Sequence, residues 1–308
     1  MAKPRLLNTH SKEWEGYKLF LYVLPCLIFI FIFKYLPLWG WSYAFFQYKP
    51  GRDLFKCAFV GLQNFTALFG KAVMRNNLLR VLRNTFGIQI LNYLLMPVPM
   101  LFAIFLSEIK STKFQKAVQT LTTLPHFISW VIMFSLATSL FGNSGVVNAV
   151  LKNFGAEGIN ILTTDQHVWL IQSLLALWKS LGWSAIIYFA AITGLDQEVY
   201  EAAMVDGASR WQKIRYITIP LLIPTFFVLL IMGIGNFLNS GIDQFLAFGN
   251  AMNKEYIEVL DLYVYNLGIG NGQISFSVAV GMMKSVVAVV LFALANFASK
   301  KVRGTSVF

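Results

Sequence analysis

Apolar residues along this chain are gathered into six long blocks, which polar or mixed segments separate. A helix of about 20 residues crosses a hydrocarbon layer of roughly 30 Å. The pattern therefore predicts an all-α integral membrane fold with six transmembrane helices. They cover residues 19–33 with a continuation to 46, then 86–106, 121–141, 168–192, 219–238 and 274–298.

Prolines interrupt three of these blocks: Pro97 and Pro99 in the second, Pro125 in the third, and Pro220 and Pro224 in the fifth. Such breaks are tolerated in a bilayer where neighbouring helices or a cavity satisfy the freed carbonyl groups. Two interpretations are open: the prolines kink helices around a pathway, or they mark ordinary packing kinks.

Composition supports a membrane protein and argues against other classes. Hydrophobic residues make up 57% of the 308 positions and charged residues 13%, whereas about 25% of residues in soluble domains are charged. The net charge of +11 does not indicate nucleic-acid binding, because the basic residues lie in short loops beside apolar blocks and act there as topology signals. Cys26 and Cys57 are too few for a zinc site or a disulfide framework.

The basic residues predict that both chain termini are cytoplasmic. On that arrangement the cytoplasmic segments carry Lys3, Arg5, Lys12, Lys18, Lys110, Lys113, Lys116, Arg210, Lys213, Arg215, Lys300, Lys301 and Arg303. The external loops after the third and fifth blocks hold only Lys152 and Lys254. The basic loop after the first block is an exception, but long loops weigh less in the positive-inside rule. Its last part, AVMRNNLLRVLRN, is predicted to lie along the membrane surface as a basic amphipathic helix.

Sequence motifs for catalysis are missing from the chain. It contains no GxxxxGK[ST] phosphate loop and no HExxH, CxxC or GxSxG motif, so we expect no catalytic residues, metal or cofactor in it. Ion-driven carriers commonly place acidic groups at mid-membrane. The fourteen acidic residues here fall outside the predicted span cores, which favours a transport subunit that takes its energy from another protein.

Residues 201–220, EAAMVDGASRWQKIRYITIP, place charged and small side chains between the fourth and fifth blocks. Asp196 is suited to cap a helix whose dipole also favours Glu198 and Glu201 near its N-terminus. Gly207, after Asp206, permits a turn with positive φ. The pattern predicts a short helix, a sharp turn and a second helix. From spacing alone, a loop helix on lipid headgroups is an open alternative.

This segment resembles the EAA loop of ABC importer permeases, whose pattern is E-A-A, three residues, G, nine residues and I-x-L-P. Here Glu201, Ala202 and Ala203 are followed at those spacings by Gly207 and by ITIP at 217–220, with isoleucine at 219 as the departure. The stretches FVGLQNF, LPHFISW, LWKSLGWSAIIYFAAITGL and YVYNLGIGNGQISFSVAVGMMKSVV are similar to the carbohydrate, maltose-permease-like type. Most of them resemble its oligosaccharide and polysaccharide subgroup.

The resemblance implies a type I ABC importer transmembrane domain at residues 19–308, after a cytoplasmic tail at 1–18 and with a cytoplasmic coupling loop at 196–217. It also implies a second permease subunit, two ATP-binding subunits that hold ATP and magnesium, and an extracytoplasmic solute-binding protein, assembled in a bacterial inner membrane. The ATPase-coupling residues that it implies are Glu201, Ala202, Ala203, Asp206, Gly207, Ile217 and Pro220.

Candidate substrate-path residues are polar or aromatic side chains at helical spacing within the spans. Amides and aromatic rings suit sugar hydroxyls and sugar faces, although hydrogen bonding between helices is the alternative. The candidates are Gln89, Asn92 and Tyr93 in the second block and Asn236, Asn239, Ser240 and Asp243 at the end of the fifth.

Two lysines within spans, Lys179 and Lys284, either attract an anionic sugar or pair with groups of the protein. Trp130, Trp178 and Trp183 either stack on sugar or anchor the helices at the membrane surface. The sequence as a whole favours the permease of an ATP-driven importer. A gradient-driven carrier or channel that works without an ATPase is the alternative, and a membrane-bound assembly protein is a third class.

Overall fold

The computed structural model of the chain describes residues 9–303. Lys3 and Arg5 lie outside the described residues, as do the side chains of Lys12 and Arg303. The α-helices are α1 (Thr9–Ile30), α2 (Gln63–Gly70), α3 (Ala72–Leu95), α4 (Pro97–Ser107), α5 (Thr112–Thr123), α6 (Trp130–Phe141), α7 (Val146–Asn153), α8 (Val168–Thr193), α9 (Gln197–Val205), α10 (Arg210–Lys213), α11 (Ile219–Gly235), α12 (Asp243–Phe248), α13 (Lys254–Ile257), α14 (Leu260–Tyr265) and α15 (Ile274–Arg303).

Shorter segments of tighter or wider helix join several of these elements. The 3₁₀ segments are Leu36–Phe45, Leu54–Lys56 and Leu124–Phe127, and the π segments are Phe31–Tyr35, Ile214–Thr218 and Asn266–Gly270. An isolated antiparallel bridge joins Phe46 to Phe59. The predicted all-α class is confirmed.

Among residues 9–303, six segments are long and apolar enough to cross a membrane, which confirms the predicted number. They are Gly16–Phe45, Ala72–Ser107, Trp130–Asn153, Val168–Thr193, Arg210–Gly235 and Ile274–Phe297. The first contains the predicted continuation through the 3₁₀ segment. Large apolar side chains on it, such as Phe31, Phe33 and Trp39, are exposed, as expected where hydrocarbon and not water surrounds a helix.

The helix predicted for AVMRNNLLRVLRN is present, but it is not a separate element: these residues form the first half of α3, which continues unbroken to Leu95. Their polar side chains contact other parts of the protein. Arg80 forms an ion pair of 2.5 Å with the buried Glu258, and the Arg83 guanidinium lies 5.2 Å from the ring centre of Tyr256. The basic side chains that suggested a surface helix therefore take part in tertiary contacts.

The predicted span over residues 121–141 is wrong in its first part. Helix α5 ends at Thr123, a 3₁₀ turn contains Pro125, and a new helix starts at Trp130. The Ser129 side chain caps that helix by accepting a hydrogen bond from the Ile132 N–H at 3.3 Å. Proline has no N–H to donate to a helix and serine is a favoured N-cap, so local backbone chemistry divides a segment that is mostly apolar.

Helix α8 is the centre of the bundle and packs against α3, α4 and α5. Two glycines make this packing close. A Cβ atom at Gly87 would collide with the ring of Trp169, and one at Gly182 would collide with the backbone of Thr122 and Thr123. Small residues let membrane helices approach closely, where van der Waals packing holds them together.

We expect Gly182→Ala to destabilise the protein, because α8 and α5 must separate to admit a methyl group. Overpacking of this kind costs about 1–3 kcal/mol, so the purified protein in detergent should melt at a lower temperature. Gly281→Ala on α15 is the matched control, since no atom lies within 4 Å of its added Cβ. Equal melting temperatures for the two variants would contradict this account of the packing.

Candidate functional site

The coupling segment, residues 196–220, begins with the helix that the sequence predicts. An Asp196 carboxylate oxygen accepts a hydrogen bond of 2.9 Å from the Glu198 N–H, which confirms the N-cap. At the other end of α9, Ala208 N–H donates to the carbonyl of Ala203 at 2.9 Å. Gly207 adopts a φ of 74° in this turn. Glycine is common directly after a helix because it adopts positive φ without strain.

The second half of the coupling segment leads directly into the fifth span. Ser209 and Gln212 form a reciprocal capping box at the start of α10. From Arg210 the chain is helical through the π segment to Gly235. A continuous helix transmits displacement along its axis, so a movement of α10 would displace α11.

One hydrogen bond joins the two halves of the coupling segment. The hydroxyl groups of Tyr200 on α9 and the buried Thr218 are 2.9 Å apart. Sequence reasoning missed this contact, because a tyrosine eighteen positions before a threonine carries no local signal. It fixes the orientation of α9 relative to the start of α11, beside Ile217 and Pro220.

The surface of the coupling segment is apolar as well as charged. Glu201, Ala202 and Asp206 are exposed, and so are Met204 at 55% and Val205 at 88%. The last two were missed as candidates, although exposed apolar side chains beside small residues are typical of a protein-binding surface.

The predicted substrate-path residues of the second span meet the end of the fifth. Gln89 donates to the Ser240 hydroxyl at 3.1 Å, and Asn92 donates to the Gln89 side-chain oxygen at 3.4 Å. The ring of Tyr93 stacks on Phe237 with ring centres 5.5 Å apart. These five residues form one group, which we call the polar path.

The other candidates at the end of the fifth span do not join the polar path directly. Asn239 donates to the side-chain oxygen of Asn236 at 3.1 Å, and both residues are exposed. Asp243 is the first residue of α12. It lines a separate cavity of about 640 Å³ together with Trp130 and Lys179.

An ion pair whose acidic partner the sequence did not identify holds the polar path in place. Asp261 pairs with Lys284, and its second oxygen accepts hydrogen bonds from the Ser240 and Gly241 N–H groups at 2.8 and 3.1 Å. For Lys284 the structure therefore favours pairing with a protein group. A lone aspartate between the fifth and sixth spans gives no signal in sequence that a lysine of the sixth span pairs with it.

A second cavity, of about 480 Å³, lies beside the polar path. Its lining includes Asn92, Pro99, Ser180, Trp183 and Tyr188. The Tyr188 hydroxyl is buried and has no hydrogen-bond partner among the described residues. Pro99, in the first turn of α4, lines this cavity, so the helix interruption in the second block borders a cavity, which favours the pathway interpretation of its prolines.

Residues 15–304 match the protein family described as binding-protein-dependent transport system inner membrane component. The chain belongs to that family. It is 40% identical to the polygalacturonan/rhamnogalacturonan transport system permease protein YteP of Bacillus subtilis, over 92% of this chain and 88% of that one. It is 28% identical to the arabinooligosaccharide permease AraP of the same organism, over 92% and 87% of the two chains.

Two solved structures of a bacterial alginate ABC transporter are also similar to this chain. One, described as involved in import of the acidic polysaccharide alginate, has a TM-score of 0.82 at 32% identity, over 97% of this chain and 100% of that one. The other is in complex with an alginate pentasaccharide-bound periplasmic protein and has a TM-score of 0.84 at 33% identity, over 98% and 100%. The permease is therefore a multi-pass membrane protein with the type I importer fold.

We expect Asp261→Ala to destabilise the permease. It leaves the Lys284 ammonium and the Ser240 and Gly241 N–H groups without their acceptor. The two side chains are 14–15% exposed, so the loss should approach but not exceed the cost of breaking a fully buried ion pair, about 3–5 kcal/mol. Thermal unfolding in detergent measures the loss. Asp53→Ala is the matched control, because its 2.6 Å pair with Lys56 is 71–78% exposed and exposed pairs contribute little.

Exchanging the two residues of the Asp261–Lys284 ion pair distinguishes the contribution of charge to stability from that of hydrogen bonding. In Asp261→Lys with Lys284→Asp, an ion pair remains possible, but lysine cannot accept from the two N–H groups. We therefore expect the double variant to stay unstable. Recovery of the wild-type melting temperature would show that charge alone matters.

Proposed function

We propose that this chain is a permease subunit of an ATP-driven importer and takes up an oligosaccharide or polysaccharide that an external solute-binding protein delivers. The observation that supports this proposal most directly is the exposed coupling segment. From Arg210 onward this segment forms one continuous helix with the fifth span. The names of the polysaccharide and oligosaccharide transporters above support this substrate class. The complex with a periplasmic protein supports delivery by a binding protein.

We propose that two partner subunits bind ATP with magnesium, hydrolyse it, and receive the coupling segment in a groove. In this arrangement Glu201 makes a charged anchor and Gly207 provides the turn. Ala202 and Ala203 permit close approach, and Asp206, Ile217 and Pro220 complete the segment. The exposed tip formed by Met204 and Val205 would bury apolar area there. Closure of the ATPases would then displace α11 and open the path outward.

The proposed topology places both termini and the coupling segment on the cytoplasmic side of a bacterial inner membrane. Four spans precede α9, so the chain has returned to the side of its N-terminus. The basic residues of α10 and of the segment at 110–116 agree with that side. The tail at 1–18, the permease domain at 19–308 and the coupling loop at 196–217 are part of this proposal.

The proposed substrate path includes Gln89, Asn92, Tyr93, Asn236, Asn239 and Asp243. Its support is the polar path, the cavity beside it that Asn92 lines, and the separate cavity that Asp243 lines; these linings include hydroxyl, amide and aromatic groups. Such groups bind sugar hydroxyls and sugar faces. The described residues leave one side of these cavities open. A second permease subunit would close that side.

We expect Gly207→Val to leave the permease in the membrane but to uncouple it from ATP hydrolysis. A β-branched residue resists positive φ, and such strain costs about 1–3 kcal/mol, so the turn would reorganise. ATPase activity stimulated by the loaded binding protein should fall about tenfold. Gly207→Asn is the matched control, because asparagine tolerates this conformation. Full stimulation in the valine variant would refute the role of the turn.

Purification from the native membrane in mild detergent, with mass spectrometry of the bound proteins, tests the function itself. We expect an ATPase, a second six-span chain and a solute-binding protein. The competing function is a gradient-driven carrier or channel. Recovery of this chain alone, still moving sugar into liposomes without ATP, would establish that alternative.

A further inference from the structure

The middle of α8 carries a lysine whose ammonium group lies inside a membrane span. Lys179 donates hydrogen bonds to the carbonyl oxygens of Pro125 and His126, at 3.1 and 2.7 Å. These carbonyls belong to the 3₁₀ turn between α5 and α6. The ammonium nitrogen also lies 5.5 Å from the ring centre of Trp130.

Lys179 forms no ion pair with any residue that the structure describes, in contrast to Lys284 with Asp261 and Arg80 with Glu258. An ammonium has three N–H donors, and the two carbonyls occupy two of them. Charged groups within spans are costly and mark transport pathways. The third donor is thus available for an anionic oxygen.

The surroundings of Lys179 suit a sugar ring. It lines the cavity of about 640 Å³ with Ser129, Trp130 and Asp243. The ring of Trp183, one helical turn after Lys179, stacks on His126 with ring centres 4.5 Å apart and lines the neighbouring cavity of about 480 Å³. A cation beside the ring of Trp130 matches a pyranose that carries a carboxylate, because aromatic rings pack on C–H groups and the ammonium binds the charge.

We infer that Lys179 binds the carboxylate groups of passing sugar units, so that the permease selects uronate-containing, acidic oligosaccharides. This inference rests on the proposed function and deepens it. Asp243, on the same cavity, carries the opposite charge. It repels a carboxylate and thereby confines the anionic group to the side of Lys179.

The test uses the complete importer with its binding protein in liposomes. The probes are a tetragalacturonide and the same tetrasaccharide after reduction of its carboxyl groups. Lys179→Gln should lower the uptake efficiency for the acidic probe at least about tenfold, since a charge-assisted hydrogen bond is lost. Uptake of the reduced probe should fall much less, and Lys179→Arg should restore most of the acidic uptake.

Two further variants keep the test sharp. Lys34→Gln removes an exposed cation of the first span that lines neither cavity, and it should leave both probes unaffected. Asp243→Asn leaves the Lys179 hydrogen bonds in place and should raise efficiency for the acidic probe alone. This variant decides the question even if Lys179→Gln does not assemble.

The outcomes distinguish this inference from the proposed function. The inference alone would be overturned if Lys179→Gln lowered the uptake of both probes equally and Asp243→Asn gave no selective gain. Lys179 would then serve only to stabilise the 3₁₀ turn. Transport of only the reduced probe by the wild type would do the same. A wild type that moves neither these probes nor any other oligosaccharide on ATP would overturn both.

Discussion

The whole structure depends on one constraint: inside a bilayer, a backbone N–H or carbonyl group that leaves a helix must find another partner. This chain breaks its helices repeatedly, and charged or polar side chains satisfy the breaks. Lys179 covers two carbonyls between α5 and α6. Asp261 accepts from two N–H groups after α11, and Asn84 donates to the carbonyls of Glu255 and Glu258.

The same constraint places polar and charged side chains inside the membrane. A side chain that satisfies a broken helix must be polar, and the break itself leaves space beside it. The two cavities flank the interruptions at Met96–Pro97 and at 124–129. On the proposed function, structural support and substrate binding would use neighbouring or even identical residues. The difference lies in charge balance: Lys284 forms an ion pair with Asp261, whereas the hydrogen bonds of Lys179 go to two backbone carbonyl groups.

The coupling segment solves a different problem, because it must be exposed and yet remain rigid. Its rigidity comes from short-range devices: the Asp196 cap, the Gly207 turn and the Ser209 capping box. The Tyr200–Thr218 hydrogen bond then ties its two helices together. A stiff, small-residue surface of this kind transmits force with little loss to internal bending, which suits the proposed coupling to ATP hydrolysis.

The sequence by itself determined the features that depend on near neighbours: six apolar segments, the cap at Asp196, the turn at Gly207 and the family. It also placed Gln89, Asn92 and Tyr93 on one helix. Only the tertiary structure decided which charges pair, where the third span starts and that AVMRNNLLRVLRN belongs to α3. The physical reason is separation along the chain: Gln89 meets Ser240 across 151 positions and Arg80 meets Glu258 across 178, and no local pattern records such contacts.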